Sequence, residues 1–108
     1  MSGSPEFDLL SELTFEKAST LVGTSVWIDP EPDHRVELKI AHVGKVMESE
    51  AAKLNRNAFS IYFLGPKSYL IKQGAYPTRH DAFAEPFWLF IVPVEEQEGA
   101  YIYEAVFT

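Results

Sequence analysis

The sequence predicts a mainly β fold: a small antiparallel barrel, or barrel-like sheet, of five to six strands with one N-terminal helix. Three observations predict it. The runs Phe87–Val94 and Ala100–Phe107 are rich in aromatic and branched residues, and the polar stretch Glu95-Glu96-Gln97-Glu98-Gly99 separates them, which is the pattern of a β-hairpin. That hairpin is apolar on both faces, so it has to be covered on both. Val36, Leu38 and Ile40 alternate with Arg35, Glu37 and Lys39, the period-two pattern of a strand with one wet face. Closure into a barrel removes the free edges that such strands would otherwise expose.

The elements follow in order. Leu9 to Val22 reads as one short helix. Thr14 is its N-cap, Leu13 and Ala18 form a small hydrophobic staple, and Gly23 is its stop. Thr24 to Asp29 is a first strand, ended by Asp29-Pro30-Glu31-Pro32-Asp33 because proline cannot donate to a ladder. The second strand runs from Arg35 to about Met47. Strict alternation puts His42 and Val46 on its apolar face with Val36, Leu38 and Ile40, and Gly44 marks a bend or bulge. Glu48 to Asn57 is polar and reads as a long surface loop. Ala58 to Leu64 is a strand, Gly65-Pro66-Lys67-Ser68 a turn, Tyr69 to Tyr76 an irregular returning strand, and Pro77 to Glu85 a connection. In the closing hairpin, Gly99 supplies the positive φ of a bulged loop.

Composition narrows the function. The 108 residues are 46% hydrophobic, 14% aromatic and 23% charged, which fits one globular domain over 8–108. Residues 1–7, Met1-Ser2-Gly3-Ser4-Pro5-Glu6-Phe7, read as a cloning linker. Without cysteine there is no disulfide, thiolate zinc site or cysteine nucleophile. The net charge of −7, with nine Lys and Arg residues spread thinly, argues against nucleic acid and anionic membranes as partners. No apolar run reaches the roughly 20 residues of a bilayer span. No basic start followed by an apolar stretch is visible, so no signal peptide is read and the cytoplasm is slightly favoured on that ground alone; a segment removed ahead of Asp8 would not be seen.

Candidate chemistry is sparse. Of the three histidines, His34 lies at a strand start, His42 is expected inside by parity, and His80 adjoins Asp81. No short metal-ligand spacing, G-x-S-x-G elbow or phosphate-binding glycine loop occurs, so no cofactor or metal is expected. Glu95, Glu96 and Glu98 read as a solvated charge run on a hairpin tip. A barrel-mouth pocket, if present, would use His42, Tyr62, Tyr76 and His80. The aromatics are the richer asset. Trp88, Tyr101 and Tyr103 are the candidate contact patch, because Trp and Tyr dominate binding hot spots.

The second half resembles a family of short bacterial domains of unknown function. The resemblance rests on Phe59-Ser60-Ile61-Tyr62-Phe63-Leu64-Gly65-Pro66, on Gln73-Gly74-Ala75-Tyr76 with His80, on Leu89-Phe90-Ile91-Val92-Pro93-Val94 and on Tyr103-Glu104-Ala105-Val106-Phe107. The Leu13-Thr14 start and the Leu21-Val22-Gly23 end of the helix are similar as well. The Asp29–Asp33 loop is longer and more acidic than the family pattern. The resemblance implies no known activity. Members occur beside phage-tail-like proteins, which implies an accessory or structural role.

Together these readings lead to a non-enzymatic bacterial module that binds another protein, or assembles with it, through an aromatic sheet face. The alternatives are a homodimer using the same face, and a small-ligand binder or enzyme using a pocket near His42.

Overall fold

Thr14 sets the start of the first element. Its backbone is extended and its Oγ1 accepts a hydrogen bond from the Lys17 N–H at 3.1 Å, so helix α1 (Phe15–Ser19) begins capped. Ala18 is fully buried, and Leu13 and Leu21 pack on the same core. Gly23 follows at φ +94, a left-handed value open to glycine because it has no Cβ. The computed structural model describes residues 13–45 and 58–107. The linker, the start of the expected helix, Val46, Met47 and the Glu48–Asn57 loop lie outside the described residues.

Six strands follow: β1 (Ser25–Glu31), β2 (His34–Lys45), β3 (Phe59–Pro66), β4 (Gly74–His80), β5 (Phe87–Gln97) and β6 (Ala100–Phe107). Every neighbouring pair is antiparallel, and the sheet closes as a barrel in the order β1-β2-β3-β6-β5-β4. It is therefore two three-stranded meanders, β1–β3 and β4–β6, joined by the β3–β6 and β1–β4 ladders. The expected barrel and its N-terminal helix are both present. Inward side chains fill the barrel, among them Leu38, Ile40, Phe63, Leu89, Ile91 and Tyr103, all buried.

The strand order explains how the ends are closed. β3 and β4 stand on opposite sides of the ring, so residues 67–73 must cross one end to connect them. Ile71 drops into that opening and is buried, and its N–H donates to the Tyr103 hydroxyl at 2.9 Å. The Tyr69 hydroxyl donates to Glu31 Oε2 at 3.0 Å, and the Tyr76 hydroxyl to the Lys72 carbonyl at 2.8 Å, which holds the crossing in place. At the other end, α1 and Phe83 pack over the core. Beneath them a pocket lined by Leu21, Ile40, Phe63, Phe83 and Phe87 holds about 20 Å³, room for little more than one water.

Four local expectations are corrected. β4 starts at Gly74 and includes Pro77, whereas the sequence predicts a strand over Tyr69–Tyr76. β1 likewise continues through Pro30. Pro30 falls in the irregular stretch of β1 between Ile28 and Glu31, and Pro77, though opposite Trp88 of β5, lies just past the β1–β4 ladder of Val26–His80, Trp27–Arg79 and Ile28–Thr78, so neither is needed as a donor between β1 and β4. The β2 bulge falls at Ala41 and not at Gly44, since the register passes from Ile40–Phe63 directly to His42–Tyr62. The last turn is also tighter than Glu95–Gly99. β5 runs to Gln97 past a bulge between Pro93 and Glu95, and Gly99 takes φ +89 as expected.

Candidate functional site

The bulge at Ala41 decides where His42 goes. One extra residue reverses the alternation, so Val43 takes the inward position and His42 faces outward, exposed. Its ring stacks on Tyr62, with centroids 5.8 Å apart and planes at 26°. The expectation that His42 lies on the apolar inner face is therefore corrected. Tyr76 and His80 sit at opposite ends of β4, while Tyr62 and His42 lie on the outside of the barrel. These four side chains line no common cavity, and the 20 Å³ pocket is far below the roughly 300 Å³ of a ligand site. Two open surface grooves of about 530 and 880 Å³ exist, the first beside Trp27 and Arg79, the second beside His34 and Tyr69.

His80 is buried and fully engaged. The Ala82 N–H donates to its Nδ1 at 2.9 Å, which places the ring proton on Nε2. Nε2 lies 2.8 Å from Thr24 Oγ1 and donates to it, and Thr24 in turn donates to the Leu21 carbonyl at 2.6 Å. Burial pushes the imidazole below its ordinary value of 6.5, against a smaller upward pull from Asp81. The ring is a neutral latch between the helix exit and the turn after β4.

The expected contact patch divides. Trp88 is 62% exposed, but Tyr103 is fully buried and Tyr101 is half-buried against the core. Parity is the reason. Tyr101 and Tyr103 share the inward face of β6, whereas Trp88 points out from β5. What joins Trp88 outside is a set that the sequence reading missed: Phe90, 52% exposed, Val106, 56% exposed, and the half-buried Val92 and Ile102. The signal was available in β5, where counting by twos from Trp88 gives Phe90 and Val92.

Glu104 sits within this wall. Register places it opposite Tyr62 on β3 and Val92 on β5, with Ile102 and Val106 flanking it on its own strand. Ser60 Oγ donates to Glu104 Oε2 at 2.7 Å and the Tyr62 hydroxyl donates to the same oxygen at 3.2 Å. Burial, and after it the Glu104 charge, hold the Tyr62 phenol above its usual 10.0. Ser60 thus directs its proton at a carboxylate, while His42 meets Tyr62 by its ring face. The arrangement holds the carboxylate in place on the outer face of the barrel. Among the described residues no three His, Asp or Glu side chains converge as a metal site. No described helix is long and apolar enough to cross a membrane.

No curated protein and no solved structure matches the chain. The family model described as "Domain of unknown function (DUF6916)" matches residues 13–107. That span takes in α1, the six described strands and the whole Trp88–Val106 wall, and the chain belongs to the DUF6916 family.

Proposed function

We propose that the domain is a non-enzymatic protein-binding or assembly module that docks through the outer wall of β5 and β6. One observation carries this reading: Trp88 and Phe90 on β5 and Val106 on β6 stand more than half exposed on the outer face of neighbouring strands, with Trp88 and Phe90 paired to Pro77 and Ala75 of β4. Burying what remains exposed of each side chain would gain about 1 kcal/mol or more, and the described residues leave that surface uncovered. Contiguous apolar surface with an aromatic centre is what protein interfaces bury. A small-ligand reading is less well supported, since it has only open grooves to use.

The test is affinity capture from the native host with the wild-type chain and with Trp88→Ala and Phe90→Ser. A specific protein held by the wild type and lost from both variants supports the reading. Identical catches from all three overturn it. Light scattering over a range of concentrations identifies the case in which that partner is a second copy.

A further inference from the structure

We propose that the partner presents an arginine or lysine set among apolar side chains, and that Glu104 is the anchor for that cation. The inference rests on the β5–β6 wall being the docking surface, and it names what the wall selects.

Glu104 is the one charged side chain among outward residues of β3 from Ser60 to Leu64 and of β6 from Ile102 to Val106; on β5 the outward run Trp88, Phe90, Val92 is uncharged, and Glu95, past the bulge, stands opposite Ile102. Same-face neighbours on a strand lie about 7 Å apart, so Ile102 and Val106 bracket it closely. A docked surface covering this wall takes the carboxylate out of water. That is costly unless a cation comes with the surface.

The carboxylate is also prepared for one. Ser60 and Tyr62 both donate to Oε2, which fixes the side chain's orientation. Oε1 receives no hydrogen bond from the described residues, and Glu104 belongs to neither of their ion pairs, Arg35–Asp29 and Lys67–Glu96. A held carboxylate with one open oxygen matches an N–H donor that carries positive charge. The net charge of −7 steers the same kind of surface toward it.

A second copy fits poorly. Self-association centred on Glu104 would bring two carboxylates into one dry contact, while the nearest strands with outward cations, β2 with Lys39 and β4 with Arg79, each lie two strands from β6. The wall thus disfavours its own copy and any purely apolar partner.

The experiment pans displayed random short peptides on the full chain and on Trp88→Ala and Glu104→Gln. Glu104→Gln keeps the side chain's shape and removes its charge, and thermal melting confirms that each variant is folded. Wild-type binders should be enriched in arginine or lysine flanked by apolar residues. Replacing the arginine of a winning peptide by citrulline should weaken binding about tenfold. Glu104→Gln should still select apolar peptides but lose the basic enrichment. Apolar, Trp88-dependent binders without basic enrichment, or a preference that survives Glu104→Gln, overturn this inference and leave the docking wall standing. Absence of any Trp88-dependent binder overturns both.

Discussion

The two long walls of the barrel are built on the same interior and finished differently outside. On the β1–β2 wall most exposed positions carry charged side chains, several of them paired. Arg35 Nε meets Asp29 at 2.8 Å, and Ser25 Oγ donates to Glu37 at 2.6 Å. On the β5–β6 wall the outward positions carry Trp88, Phe90, Val92, Ile102 and Val106 around Glu104, with Glu95 at the margin opposite Ile102. The inward residues of both walls are ordinary packed hydrophobes. A strand needs only its inner face to fold, so the outer face is free to be shaped by solvent or by something that binds. The first wall has the composition that water demands, and the second does not.

Four measurements break or sharpen that contrast. The largest effect should come from beneath the walls. Leu38→Ala under the charged wall and Ile91→Ala under the apolar one should each lower stability by about 2–5 kcal/mol in urea denaturation, because both leave cavities in one shared core. A loss confined to one of them would mean that the walls do not share an interior. Next, Tyr103→Phe should cost about 1–3 kcal/mol, because the buried Ile71 N–H loses its acceptor. An unchanged urea midpoint would show that the phenol does not hold the crossing.

Acid should probe the interior and spare the walls. The folded His80 ring resists protonation below 6.5, so the unfolded chain takes up the proton first. The stability linked to His80 is therefore full above pH 6.5 and falls as the pH drops from 6.5 toward the depressed folded value. His80→Gln should flatten that slope. Arg35 holds Asp29 below its usual 3.8, so that carboxyl responds only in stronger acid and the two effects separate. Smallest of all should be Trp88→Ser and Phe90→Ser, each within about 0.5 kcal/mol of wild-type stability. A loss as large as that of Ile91→Ala would make the outer wall part of the fold and remove the contrast.

Much of the fold was legible because local chemistry agrees with the global result. The Thr14 cap, the positive φ at Gly23 and Gly99 and the β6 boundaries each follow from a few adjacent residues. The errors arise where one residue's neighbours lie far off in sequence. Ala41 carries no mark of a bulge, yet as the extra residue it sends His42 outward. Pro77 reads as a strand breaker until the shortness of the β1–β4 ladder is known. Tyr103 looked exposed because the hairpin is apolar on both faces, and only its pairing with Phe63 and its bond to Ile71 show which face is inside. Glu104 was unreadable for the same reason, since its two donors stand 44 and 42 positions upstream.

The crossing between the two meanders also gives the molecule its own gauge of cooperativity. The Ile71 amide is sealed by a phenol that belongs to the other half of the chain, so it cannot meet solvent while both halves remain closed. Its hydrogen–deuterium exchange should track whole-barrel opening, and the free energy read at this single amide should equal that of global unfolding. A faster exchange there would reveal an end that unplugs before the staves part.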